Sequence, residues 1–145
     1  MNLLKFHNKI KGYTQNRQPG IEADMEPKPI AELEEYKAAG KLENKVALIT
    51  GGDSGIGRAI AILYAKEGAN VAIGYYDEHQ DAEDTVNRLQ EMGVKAKAYA
   101  HDLKDEKQSQ KLIKDVINDF GSLNILVNKG GVQFPRDHFE DITPQ

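Results

Sequence analysis

The fold class this sequence predicts is α/β, a doubly wound parallel sheet, and three observations predict it. From residue 44 to about 128, short apolar runs alternate with longer stretches of helical spacing, the pattern of strand–helix–strand crossovers. The first run, Lys45-Val46-Ala47-Leu48-Ile49-Thr50, ends in a bend with glycines at 51, 52, 55 and 57 and passes straight into an Ala/Ile-rich helical stripe. Crossovers of this length make neighbouring strands parallel and right-handed.

Composition sets the outer limits. The 145 residues suffice for one domain with a real core. A hydrophobic content of 39% and a charged content of 29% suit a soluble globular chain, and a net charge of −4 gives no electrostatic reason to expect nucleic-acid binding. There are no cysteines, which excludes disulfides, Cys-based zinc sites and thiol catalysis. No apolar run approaches the roughly 18 residues of a membrane span, and no signal-peptide core is visible, so the expected compartment is the cytoplasm.

Residues 1–43 lack the strand–helix alternation of the rest of the chain and read as an extended N-terminal arm, with residues 44–145 as the domain. Met1 to Lys11 can form a short helix carrying Leu3, Leu4, Phe6 and Ile10, whereas Gln15 to Gly20 and Glu26-Pro27-Lys28-Pro29 favour turns or extended chain. Such an arm is either a partly ordered tail or a strap packed on the body or on a neighbouring subunit. Its acidic run Glu32, Glu34, Glu35 reads as an exposed face.

Beyond the glycine bend, Ala59, Ile60, Ile62, Leu63 and Ala65 form the buried stripe of a helix that stops near Gly68. Asn70 to Tyr75 is a second strand, and Asp81 to Met92 a charged helix closed by Gly93. Val94 to Ala100 reads as strand three and Asp105 to Phe120 as a third helix, with Leu112, Ile113, Val116, Ile117 and Phe120 on one face. Leu123 to Asn128 is strand four. In the Rossmann arrangement these four strands lie in the order 3-2-1-4, an incomplete sheet whose glycine bend sits at the crevice where chain direction switches.

That bend reads as a phosphate cradle. Glycines let backbone N–H groups approach a pyrophosphate with no Cβ in the way, and a helix N-terminus supplies unpaired donors and the positive end of its dipole. The candidate residues are Gly51, Asp53, Ser54, Gly55, Ile56 and Gly57. Asp77 lies about twenty residues past the last glycine, the distance expected of an acidic ligand to a ribose hydroxyl, or else it only begins a loop.

The spacing Thr50-Gly51-x-x-x-Gly55-x-Gly57 resembles the signature of the short-chain dehydrogenase/reductase family. With Asp102-Leu103 after strand three and Asn128-Lys129-Gly130-Gly131 closing strand four, the likeness runs from about Gln15 to the end. Gln18-Pro19-Gly20-Ile21-Glu22, with Met25 and Pro27, resembles the leader of the general-stress and glucose/ribitol dehydrogenase-like branch. The resemblance implies an NAD(P)-dependent oxidoreductase acting on an alcohol or carbonyl, a sugar or polyol by branch, and tetrameric when whole. It places Tyr75 at the ribose discriminator, Asp102 on the adenine amino group with the Leu103 backbone on its ring, and Asn128, Gly130 and Gly131 along the nicotinamide-side ribose. Asp102 is equally suited to cap the next helix, and His101 reads as a bystander. Lys129 and Gly130 depart from the family's Asn-Asn-Ala-Gly. Ser54, where relatives that prefer NADP often carry a cation, leaves nothing basic for a 2′-phosphate, so NAD is slightly favoured over NADP.

The family's proton chemistry needs a Tyr, a Lys four residues later and a Ser. None of the six tyrosines is followed by such a lysine, and the serines are Ser54, Ser109 and Ser122, in the bend, a helix and a turn. No catalytic residue is therefore assigned, and the chain looks like the cofactor-binding front half of an oxidoreductase. The alternative is a non-catalytic dinucleotide-binding or interaction module, or a decayed gene product. Asp137, His138, Glu140 and Asp141 lack a rigid frame and read as a solvated loop, with no metal assigned; His7 and His79 read as surface residues.

Overall fold

A computed structural model describes residues 15, 20–25, 27–33, 35–131, 138 and 140. Along them run β1 (Val46–Thr50), α1 (Gly55–Lys66), β2 (Asn70–Tyr75), α2 (His79–Glu91), β3 (Ala96–Ala100), α3 (Glu106–Phe120) and β4 (Ile125–Asn128). All strand pairs are parallel and the order is β3-β2-β1-β4, as the alternation predicts.

The pattern of burial follows from that order. All five residues of β1 are buried, because it has strands on both sides and helices on both faces. On one face Ile49, Val71 and Ile73 pack with Ala61, Ile62, Ala65, Ala82 and Leu89 from α1 and α2. On the other, Val46, Leu48 and Ala72 pack with Leu112 and Val116 from α3. Each fully buried Leu, Ile or Val contributes roughly 1.5–3 kcal/mol, far more than any surface ion pair, so this two-faced core fixes the sheet. The edge strand β4 pairs only with β1 among the described residues, and its Leu126 is 50% exposed.

Element ends differ from the sequence expectation by one or two residues. Strand four begins at Ile125, because Asn124 turns its side chain to accept from the Val46 amide at 2.8 Å. Strand three begins at Ala96, the Lys95 amide being taken by Asn70 Oδ1 at 2.9 Å. The helix N-cap is Asp105, whose carboxylate accepts from Lys107 and Gln108 amides. Asp102 does not cap that helix. Its Oδ1 accepts from the Lys104 amide at 2.9 Å in the turn before it.

The described arm residues lie along α1 and touch both its ends. At the C-terminal end, Glu67 accepts from the Ala39 and Lys41 amides at 3.1 and 2.8 Å and from the Tyr36 hydroxyl. At the N-terminal end Glu22 reaches the Gly55 amide and Arg58. Between them Glu32 pairs with Lys66 and Arg88, each at 2.9 Å. This corrects the reading of the acidic run as an exposed face: Glu35 is exposed, but Glu32 is half-buried because two cations on α1 and α2 face it. Glu34 lies outside the described residues, as do the expected Met1–Lys11 helix and, at the other end, Asp137 and Asp141; His138 and Glu140 are exposed. No described helix is long and apolar enough to cross a membrane.

Candidate functional site

The site is built where β1 and β4 end side by side. Thr50, the last residue of β1, turns its hydroxyl toward β4, where Oγ1 accepts from the Lys129 and Gly130 amides at 3.1 and 3.0 Å. This draws the two strand ends together so that a β-carbon on Gly51 would lie 3.0 Å from the Gly130 Cα. A β-carbon on Gly130 would lie 2.7 Å from Leu103 Cδ1 and 3.3 Å from Thr50 Cβ. The departure from the family's alanine at 130 thus gives room to Leu103. Gly51, Leu103 and Gly130 line one crevice at the C-terminal end of the sheet, the place where open α/β sheets bind ligands.

From Thr50 the chain turns sharply into α1. Gly51 and Gly52 both donate to the Gly74 carbonyl, at 2.7 and 3.3 Å, so the bend begins as an extension of the β1–β2 pairing. Gly55 opens the helix at φ +52, a left-handed conformation that favours glycine, and nothing lies within 4 Å of where its β-carbon would be. That open side is the kind of cradle a phosphate group needs and a side chain would fill. Gly57 is required for the opposite reason: a β-carbon there would sit 1.8 Å from the Gly51 carbonyl oxygen.

The donors are not equivalent. The amides of Gly51 and Gly52 are spent on β2, and that of Gly55 on Glu22. Ser54 stands at the N-cap but makes no capping bond through its side chain. Among the described residues no carbonyl or side chain takes the amides of Ile56 and Gly57. With the side chain of Ile56 65% exposed, this first helical turn presents two unpaired donors and the positive end of the helix dipole at the mouth of the crevice.

The flank toward β2 is acidic. Asp53 is buried, its carbonyl held by the Thr85 hydroxyl at 2.7 Å. Burial lifts its carboxyl above the ordinary range, against hydrogen bonds from its own amide and Ser54, while the charges of Asp81 and Glu22 add to the rise. Tyr75, at the end of β2, is half-buried and its hydroxyl meets His79 Nδ1 at 2.9 Å. Burial and then the Asp53 charge raise that hydroxyl, which places the β2 end and the glycine bend in one electrostatic neighbourhood.

The remaining expected residues are more loosely gathered. Asn128 pairs with Thr50 in the sheet and is exposed, Gly131 is exposed, and Asp77 is exposed in the turn after β2. His101, read as a bystander at a strand end, is a buried packing residue. It is 8% exposed and packed over Gly74 so closely that a β-carbon there would lie 2.5 Å from its Cε1. Its Nε2 is buried without a partner among the described residues. Sequence reading did not find Glu22 or Arg58; their only signal is that Glu22 falls in the leader segment and Arg58 comes directly after the glycine bend.

Comparison with known proteins agrees with this geometry. General stress protein 39 of Bacillus subtilis is 48% identical over 143 residues, covering 99% of this chain and 50% of that protein. Glucose and ribitol dehydrogenase of Daucus carota is 41% identical over 136 residues, covering 88% of this chain and 46% of that protein. The crystal structure of a short-chain dehydrogenase from Burkholderia cenocepacia in complex with NADP superposes with a TM-score of 0.66 at 38% identity, over 71% of this chain and 42% of that one. The chain therefore spans about half the length of the curated relatives it matches. The sequence profile of the short chain dehydrogenase family matches residues 45–145. A profile that takes in the whole sheet, together with the glycine bend and the Thr50–Gly130 junction, means that this chain belongs to the short-chain dehydrogenase family.

Proposed function

We propose that this chain binds a nicotinamide dinucleotide and supplies the cofactor-binding half of an oxidoreductase. The observation that carries the reading is the pair of unpaired amides, Ile56 and Gly57, at the N-terminus of α1 beside the β1–β4 crevice. They would hold the diphosphate, with Gly55 leaving space for it. Tyr75 and Asp77 would face the adenosine ribose, Asp102 and Leu103 the adenine, and Asn128, Gly130 and Gly131 the nicotinamide-side ribose, with Asp53 and Ser54 shaping the bend around the diphosphate. An acidic flank suits a free ribose hydroxyl, which donates to a carboxylate, and opposes a 2′-phosphate, so NAD is favoured over NADP.

When bound, the cofactor supplies hydride transfer between its nicotinamide ring and an alcohol or carbonyl carbon, in a sugar or polyol by the likeness to the carrot enzyme. This chain's residues bind and orient it. The 145 residues contain no Tyr-x-x-x-Lys, so the chain by itself binds without turning over. Titrating NADH fluorescence with the chain, and assaying polyol oxidation in the same tube, tests both parts. Saturable binding without turnover is expected; no binding overturns the cofactor assignment, and turnover overturns the claim that proton-handling groups are missing.

A further inference from the structure

The arm delivers one carboxylate to the glycine bend, at the N-terminus of α1. Gln15 clasps Ile21 with both ends of its amide, Oε1 accepting from Ile21 N at 2.6 Å and Nε2 donating to Ile21 O at 2.8 Å. The next amide, of Glu22, donates to Asp81 Oδ2 at 3.2 Å. So fixed, Glu22 is 8% exposed although it lies 33 residues before the helix it touches. Its Oε2 accepts the Gly55 amide and its Oε1 accepts from Arg58 Nη1 at 3.0 Å. The Arg58 Nε is buried without a partner among the described residues, so the guanidinium is held in place by Glu22 rather than by a full set of bonds.

Backbone amides at a helix N-terminus and a guanidinium are what a phosphate monoester needs. Both stand beside residues 53 and 54: the Arg58 amide donates to the Ser54 carbonyl at 3.1 Å, the Glu22 charge acts on Asp53, and that of Asp53 acts on Tyr75 at the end of β2, where the ribose 2′ position is read. Resting on the dinucleotide reading above, we infer that Glu22 is a specificity-determining residue that excludes a 2′-phosphorylated dinucleotide by keeping the Gly55 amide and the Arg58 guanidinium for itself. It acts twice, as an anion where a second anion would have to sit and as the partner that prevents Arg58 from turning to meet it. A 2′-hydroxyl makes neither demand; whatever repulsion Glu22 exerts on the diphosphate is common to both dinucleotides, so Glu22 sets the ratio of their affinities.

The test is a change in selectivity. Affinities of the full chain and of Glu22→Gln and Glu22→Asp for NADH and NADPH are measured by fluorescence titration at low salt, with thermal unfolding as a check on folding. Glu22→Gln is expected to shift the ratio of NADPH to NADH affinity by about tenfold toward NADPH, the scale of one freed charge-assisted contact. Glu22→Asp retains the original preference, and Arg58→Gln added to Glu22→Gln removes the gain. Equal weakening of both dinucleotides, as a merely structural clamp would give, overturns the assignment, as does an unchanged ratio. Failure of every protein to bind either dinucleotide overturns instead the reading of the bend as a cofactor seat.

Discussion

The carbonyl oxygen of Gly51 occupies the place where a β-carbon on residue 57 would be, 1.8 Å away. The first turn of α1 therefore lies directly on the end of β1, beside Gly51. Nothing flexible can yield there, since the clash is with backbone. Gly57→Ala should cost at least about 3 kcal/mol, the upper end for overpacking. Urea denaturation checks this, and a loss below about 1 kcal/mol would mean that helix and strand are not so closely seated.

Gly74 and His101 form a second pair fitted by size. His101 fills the space that a side chain at 74 would use, so Gly74→Ala should destabilise by about 1–3 kcal/mol. His101→Ala combined with Gly74→Ala should recover much of that loss, because the added methyl then enters the space the ring has left. A double-mutant cycle on unfolding free energies measures the coupling, and strictly additive losses would contradict it.

Much of this was legible from residue order alone. Continuous apolar runs marked β1 and β2 because both are buried on two faces, and the strand order followed from the alternation. The bend was legible because Gly51, Gly55 and Gly57 answer to local geometry. What escaped was long-range. Glu22 and Glu32 sit in arm stretches without periodicity and Glu67 closes α1, and only the folded arm shows that the first two meet partners on α1 and α2 and the third meets Tyr36, Ala39 and Lys41. His101 escaped for a related reason: its burial depends on Gly74, a residue of the neighbouring strand.

Acid should expose the arm's attachment. The Tyr36 hydroxyl first, then the Lys41 and Ala39 amides, hold Glu67 below its ordinary value of 4.5. A carboxylate lowered in the folded state stabilises fully above that ordinary value and loses its contribution as pH falls through the lowered one. Glu67→Gln should therefore be least stable relative to the unaltered chain at neutral pH, and the gap should close on acidification below pH 4.5. Asp53 has the opposite sign. Burial raises it above 3.8, so Asp53→Asn should gain stability at neutral pH and lose that advantage toward pH 3.8. Denaturant midpoints measured across this range check both, and parallel pH curves for all three proteins would refute the two assignments.

At the start of α3, Asp105 accepts from the Lys107 and Gln108 amides at 2.8 and 3.3 Å. Asp105→Ala should cost about 1 kcal/mol and Asp105→Asn much less, since Asn still accepts. Equal losses in thermal unfolding would show that the cap is not what holds this helix end.

The central claim is that the unpaired amides of Ile56 and Gly57 hold a dinucleotide's diphosphate, and Ile56→Glu tests it most directly. The side chain is 65% exposed, so the change disturbs no core, and a carboxylate in a first helical turn favours the helix by about 0.3–1 kcal/mol. NADH fluorescence titration, run beside thermal unfolding, should show unchanged or slightly higher stability with binding weakened by at least about tenfold through like-charge repulsion. A stable Ile56→Glu chain that binds NADH as tightly as the original would contradict the account.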